Sequence, residues 1–167
     1  RGRPSFLTDE VLQSLLDEVE KFRPVAEPQK WGQHISPGGH AVARFANSPE
    51  LLQLVEANCG TVEDKSYPSC LYYDSPGAHI KPHVDTDNFC VNVNLMLRHD
   101  AKEAPTSALI IYPFDDEPKR IELVAGEMII MYADCVVHTR TPVGEGEIVR
   151  NITFGYKPAA EIHQNAD

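Results

Sequence analysis

From Cys70 onward the chain is a succession of short runs rich in Val, Ile, Tyr and Phe, each cut off by turn-forming residues. SCLYYD, FCVNVNLMLR, SALIIYP, KRIELV, EMIIMY and IVRNITFGY are separated by Ser75-Pro76-Gly77, Pro105, Asp115-Asp116, Gly126, Asp134 and the stretch 144–146. Alternation with period two marks such runs as strands. In CVNVNLML, Val91, Val93, Leu95 and Leu97 fall on one face, and Asn92, Asn94 and Met96 on the other. Strands this short and this numerous bury their apolar faces only in a sandwich or barrel.

Ahead of the strands lie two helical patterns. TDEVLQSLLDEVEKF (residues 8–22) sets Val11, Leu12, Leu15, Leu16, Val19 and Phe22 on one face, with Thr8 as cap and Asp9 and Glu10 in the first turn. SPELLQLVEANCG (residues 48–60) has Ser48 as N-cap, Pro49 at the first helical position and Gly60 past the end. The expectation is a mainly β protein with N-terminal helices: one domain over residues 1–167, with helical support over about 1–66 and a β core over about 67–158.

Composition narrows the function classes. The formal net charge of −10, from 25 acidic against 15 basic residues, argues against nucleic acid or an anionic membrane as partner. No apolar run approaches the length of a membrane span. The opening RGRPSFLTDE has neither Met nor an apolar signal core and reads as a trimmed or processed product. Cys59, Cys70, Cys90 and Cys135 have no CxxC spacing and read as buried thiols, which points to a reducing, cytoplasmic compartment.

Among seven histidines, His34, His40, His99 and His163 have no partner at a useful spacing and read as incidental. His83 differs. In HVD, His83 and Asp85 stand at i and i+2, so on a strand both project from one face and form a two-point chelate for a divalent first-row metal. Pro82 excludes a helix interior and with it a helical pair of His79 and His83. His138 follows 53 residues after Asp85 at the end of an apolar run. Two histidines and one carboxylate are the ligand set of the facial triad that binds non-haem Fe(II) and leaves open positions for other ligands. Twelve residues further on, Arg150 could hold a carboxylate in bidentate fashion.

These features resemble the Fe(II)/2-oxoglutarate-dependent dioxygenases, in particular the small prolyl-hydroxylase-like and bacterial amino-acid or natural-product hydroxylase branches. The resemblance spans residues 70–156 and includes LYYDSPGAHIKPHVD, SALIIYP and AGEMIIMYADCVVHTRTPV. It implies a double-stranded β-helix (jelly-roll, cupin-like), with His83, Asp85 and His138 as iron ligands and catalytic centre. It further implies that Arg150 binds the distal carboxylate of 2-oxoglutarate. Tyr73 is the expected assisting hydroxyl, with Tyr72 on the opposite face as the alternative. Thr153 falls on the other face from Arg150 and is left out of the site.

Arg140 shares its face with His138 and is either a substrate contact or a rim salt bridge; Asn92 and Asn94 are candidate pocket lining. The implied reaction consumes 2-oxoglutarate and O₂, with ascorbate as a possible reductant, and hydroxylates an unactivated C–H bond. The expected substrate is an amino acid, a peptidyl residue or a small natural product, held by loops at residues 31–40 and 99–106. The alternatives are a cupin-like metal-binding module without 2-oxoglutarate, or a desaturase or cyclase of the same family; the oligomeric state is left open.

Overall fold

A computed structural model describes residues 1–159; His163 lies outside the described residues. Helix α1 (Asp9–Phe22) begins where Thr8 Oγ1 accepts from the Val11 amide, and ends as the chain turns at Pro24. Helix α3 (Pro49–Cys59) is capped by Ser48 and closed by Gly60, whose φ of 79° only glycine adopts without strain. Between them lies α2 (His40–Ala46), which the sequence pattern did not announce. No side chain of its own N-cap serves it. Instead the Glu18 carboxylate of α1 accepts from the amides of Gly39, Ala41 and Val42 at 2.8–3.0 Å, which suits the positive end of a helix.

Among the described residues ten strands form two antiparallel sheets, the first two strands lying between α1 and α2 and the rest after α3. The larger has the order β1-β2-β3-β10-β5-β8 and the smaller β4-β9-β6-β7. Their ranges are β1 Glu27–Pro28, β2 His34–Ser36, β3 Tyr67–Tyr73, β4 Ile80–His83, β5 Val91–Asp100, β6 Leu109–Tyr112, β7 Lys119–Ile121, β8 Met128–Tyr132, β9 Val137–Arg140 and β10 Ile148–Tyr156. The expected β core is therefore present, as two facing sheets of a double-stranded β-helix. Residues 31–40, expected among the substrate-holding segments, include β2, which extends the larger sheet beside β3 and places Ile35 against the space between the sheets.

Alternation along β5 falls as the pattern predicts. Val91, Val93, Leu95 and Leu97 pack with Leu15, Val19, Phe45, Leu51 and Val55 of the helices. Asn92 and Asn94 turn to the space between the sheets, and Met96 joins a second apolar cluster with Leu71, Tyr73 and Val149. On β10, Ile152 and Phe154 face the helices while Asn151 and Thr153 face inward. At one end β4 stops at His83, and β5 and β9 begin; this end is the mouth. The loop of residues 99–106 lies at the opposite, closed end, because β5 runs away from the mouth and β6 returns from there. It is not placed to meet a substrate at the mouth.

That closed end is tied by a buried carboxylate. Glu147 Oε1 meets His99 Nε2 at 2.7 Å and accepts from the Ser107 amide, while Oε2 accepts from Thr106 Oγ1 and the Gly144 amide. Burial alone would raise its pKa, but these hydrogen bonds outweigh it and hold the carboxyl at about 2. The four cysteines are all unpaired; only Cys70 is buried, and Cys135 is exposed, so buried thiols describe one of them. No helix among the described residues is long and apolar enough to cross a membrane.

Because the folded pKa of Glu147 is depressed, its contribution to stability is present above about pH 4.3 and fades as pH falls toward 2. At about 1.4 kcal/mol per pH unit this amounts to roughly 3 kcal/mol. Glu147→Gln is expected to lower stability by about that much at pH 7 and by progressively less below pH 4, read from urea unfolding across the range. An equal loss at every pH would contradict the account.

Candidate metal centre and its cavity

His83 on β4 pairs directly with His138 on β9, and the rings stand with centroids 4.4 Å apart. Asp85 follows β4 after one residue and is held by its amide, which donates to the Ala133 carbonyl at 2.7 Å. The three side chains converge: His83 Nε2 lies 3.3 Å and His138 Nε2 3.6 Å from Asp85 Oδ1. Ligand atoms of all three fall within 4.8 Å of one another.

The surroundings fix which nitrogens point inward. His83 Nδ1 lies 2.8 Å from the Lys81 carbonyl, and His138 Nδ1 lies 3.0 Å from the Val136 carbonyl. A carbonyl only accepts, so each Nδ1 carries a proton, and Nε2 is the nitrogen of each ring that faces inward and can give its lone pair to a metal. Two lone pairs and a carboxylate oxygen facing one point repel unless a cation lies among them. Ligands about 2.1 Å from a common metal at right angles would stand about 3 Å apart, close to what is found. The residues fit a divalent metal held by two imidazoles and one carboxylate, with backbone carbonyls orienting both rings.

Asn92 donates from Nδ2 to Asp85 Oδ2 at 2.7 Å. Asn92, expected as pocket lining, does line the cavity, and it also holds the carboxylate whose other oxygen faces the histidines. Burial raises the Asp85 pKa, but hydrogen bonds from His83 and Asn92 prevail and keep it below the usual range. The pKa of His83 is raised, chiefly by Asp85, and that of His138 is lowered by burial.

Below the triad a cavity of about 170 Å³ runs between the sheets, with Asn94, Asn151, Thr153, Ser69 and Leu71 on one wall and Leu109 and Ile80 on the other. Asn151 Nδ2 donates to Asn94 Oδ1 at 3.2 Å. Arg140 and Tyr73 line the cavity beyond them, with the guanidinium carbon 5.5 Å from the ring centroid. Arg140 is 4% exposed, donates to Ser107 Oγ at 3.1 Å, and has no carboxylate partner among the described residues. Burial lowers its pKa and pushes that of Tyr73 up to about 12. Arg140 is therefore no rim salt bridge.

Arg150 stands elsewhere. On β10 it shares the helix-facing side with Ile152 and Phe154, and it does not line the cavity. Its guanidinium is 2.9 Å from Asp74 Oδ2, 3.2 Å from Glu20 Oε1, and 5.3 Å from the Tyr72 ring. Glu20 also takes Arg98, and Asp74 takes Arg23. Arg150 is thus neutralised in a network joining α1 to the sheet, which corrects its expected place in the site. Tyr72 belongs to that side too, its hydroxyl donating to the Val19 carbonyl and bonded to Ser36. Thr153 was assigned the face opposite Arg150, and that face is the one lining the cavity. Ser107, which steadies Arg140, gave no sequence signal.

No family model matches the chain, and no curated protein matches it. Solved structures do. A prolyl-4-hydroxylase from Pseudomonas putida superposes with a TM-score of 0.77 at 20% identity, over 95% of this chain and 91% of that one. The non-haem α-ketoglutarate-dependent epimerase SnoN of nogalamycin biosynthesis gives 0.74 at 15% identity, over 94% and 77%; it is also known in complex with Fe3+ and α-ketoglutarate. A prolyl hydroxylase from Trichoplax adhaerens, in complex with a peptide fragment of hypoxia inducible factor, gives 0.72 at 15% identity, over 91% and 80%. The chain has the double-stranded β-helix fold of the iron- and 2-oxoglutarate-dependent oxygenases.

Asn92→Leu removes the one side-chain hydrogen bond on Asp85 Oδ2. It is expected to weaken binding of Fe(II) or Co(II) by about 10- to 100-fold, measured by calorimetric titration on protein whose circular dichroism is unchanged. Unaltered affinity would show that the hydrogen bond does not orient the carboxylate.

Proposed function

We propose that the protein is an Fe(II)/2-oxoglutarate-dependent oxygenase in which His83, Asp85 and His138 hold the iron. In this reading Arg140 and Tyr73, not Arg150, hold the distal carboxylate of 2-oxoglutarate. The observation that carries the proposal is the buried, uncompensated guanidinium of Arg140. A full positive charge in a closed cavity is costly unless an anion meets it. The same chain neutralises Arg150 with two carboxylates, so the difference is local. Residues 138 and 140 are two apart on one strand and face the same way, about 6.6 Å apart, a span suited to a short dicarboxylate lying from metal to guanidinium. A cupin-like metal-binding module has no use for such a charge.

When bound, iron with 2-oxoglutarate and O₂ supplies the oxidising power, releasing succinate and CO₂ as a substrate C–H bond is hydroxylated. The residues' own parts are positional. The Lys81 and Val136 carbonyls fix Nδ1 as the proton-bearing nitrogen of each ring and aim Nε2 inward, and Asn92 fixes Asp85. The Arg140 charge, steadied by Ser107 Oγ, binds the distal carboxylate, and the Tyr73 hydroxyl, whose raised pKa keeps it protonated, donates beside it. Leu71, Leu109 and Ile80 keep water from the cosubstrate's methylenes. The neighbours include a hydroxylase, an epimerase and a carbocyclase, and hydroxylation is the outcome we assign, on an amino acid, peptidyl residue or small natural product. The helices and β body act as one domain in this reading.

Purified protein with Fe(II), ascorbate and 2-oxoglutarate is expected to form succinate slowly without added substrate, and His83→Ala to abolish it. Arg140→Gln should raise the 2-oxoglutarate concentration for half-maximal succinate formation by about 30-fold or more, equivalent to about 2 kcal/mol of charged hydrogen bonding. Arg150→Gln should change it by less than about twofold and lower the melting temperature instead. The opposite ranking of the two arginines would refute the assignment of the anchor.

A further inference from the structure

A bare aromatic ring stands beside the mouth. Phe114, wholly exposed, lies in the turn of the β6–β7 hairpin, two residues past the end of β6 at Tyr112. That end of β6 is at the mouth, because Tyr112 pairs with Val137, the first residue of β9, and Ile111 with His138. His138 in turn pairs with His83 at the end of β4. The two histidines face inward, so strand alternation turns their neighbours Tyr112, Val137 and Val84 to the outer side. Val84 is 45% and Val137 36% exposed. Three adjacent strands therefore end in an apolar row along the rim, with Phe114 beyond one end of it. Single exposed apolar residues are ordinary on a protein surface, but a row of them ending in a fully exposed phenyl ring marks a contact surface.

The charge around this row is of one sign. Asp115, Asp116 and Glu117 follow Phe114 in the hairpin turn, and Asp116 is matched by Lys119. At the other end, the Cys90 carbonyl accepts from the Ala133 amide at 2.9 Å, and Cys90 Sγ donates to the Asp87 carbonyl at 3.1 Å. Cys90 thereby brings the backbone of Asp87 and Asp134 together beside the triad. Asp87, Asp115, Glu117 and Asp134 are all exposed, and among the described residues none of them has a basic partner. The other cations of these strands are engaged elsewhere. Arg120 pairs with Glu122. Lys81 stands over the ring of Trp31, whose carbonyl is tied to the His79 amide, four residues back from His83.

We propose that this apolar row and its acids form the docking surface for a basic segment of a polypeptide substrate, laid across the rim so that one of its side chains enters the mouth. The reaction rests on the oxygenase reading; the docking itself does not need it. The half-buried His83 opens the triad onto the rim. The row supplies apolar contact, and the acids select the sign of the partner and steer it. From Val84 to Tyr112 is two strand spacings, about 10 Å, with Phe114 further out, a length that about four residues of extended chain cover and a free amino acid does not. Charge decides among the larger occupants. A second copy of this chain would set the same acids against themselves, and nucleic acid or an anionic membrane would be repelled.

The test uses ¹⁵N-labelled protein with Zn(II) in place of Fe(II) and saturating 2-oxoglutarate, so that the inner cavity is occupied. Three acetylated and amidated heptapeptides are titrated in turn: Lys-Arg-Leu-Ala-Leu-Arg-Lys, its counterpart with glutamate at every basic position, and its counterpart with serine for both leucines. The first is expected to shift the Val137, Phe114 and Asp115 amides saturably, with affinity falling as salt rises and about 10-fold or more above that of either counterpart. Phe114→Ser, and separately the combined Asp115→Asn and Glu117→Gln, should each weaken it by about fivefold or more. These side chains are exposed, so the fold is not at stake. Glu145→Gln, exposed at the closed end, should change nothing. No saturable shift, equal binding of the acidic peptide, or variants that keep their affinity would each overturn the proposal. So would a concentration-dependent doubling of mass that Phe114→Ser abolishes, which would assign the surface to a second copy. In parallel, the anaerobic Fe(II) protein is tested for a 2-oxoglutarate-dependent visible absorption, which should persist in Phe114→Ser. Its absence from the unaltered protein would sink the oxygenase reading alone.

Discussion

Two central strands, β5 and β10, are buried on both faces, and strand alternation obliges each to serve two layers at once. One set of side chains closes the core under the helices; the other makes the wall of the cavity. On β5 the helix side is Val91, Val93, Leu95 and Leu97, and the cavity side includes Asn92 and Asn94. On β10 it is Ile152 and Phe154 against Asn151 and Thr153. Packing of α1, α2 and α3 therefore fixes the phase of the strands, and the phase fixes what the cavity is lined with. A slip of one residue would put valines against His83, Asp85 and His138 and asparagines under the helices.

The same constraint sorts the arginines. Arg150 has the parity of Ile152 and Phe154, so it emerges beneath α1, where Glu20 and Asp74 neutralise it. Arg140 has the parity of His138 and emerges inside, where its polar neighbours are Ser107 and Tyr73. Two guanidiniums buried to a similar degree thus have opposite electrostatic states. The paired one is a structural tie. The unpaired one is a standing demand for an anion, and the cavity connects that demand to the three converging metal-type ligands.

The triad was legible because its signal is local. His-x-Asp on an extended segment places both groups on one face, and a histidine at the end of a later apolar strand completes the set. The place of Arg150 was misread because it was chosen by its position on the last strand, not by its phase. The phase was present in the sequence: NITF alternates polar and apolar, and Arg150 falls with the apolar members. Other features had no local signal. Helix α2 depends on a cap from Glu18, 21 residues before Gly39; the three-residue β2 forms on the edge that β3 offers, and the two-residue β1 on the edge of β2. Ser107 and Asn92 gain their roles only when distant strands meet. The pairing of Asn92 with Asp85 follows from the fold of the loop between β4 and β5 and could not be read from either residue alone.

The central claim is that one face of β9 carries both a metal ligand and the anchor of an acidic cosubstrate. The most direct measurement is a crystal structure of the protein grown without oxygen with Fe(II) and 2-oxoglutarate, with anomalous data collected at the iron edge. The account predicts an iron peak among His83 Nε2, Asp85 Oδ1 and His138 Nε2, and the distal carboxylate within hydrogen-bonding reach of Arg140 and the Tyr73 hydroxyl. Iron bound elsewhere, or the carboxylate held by any group other than Arg140, would contradict it.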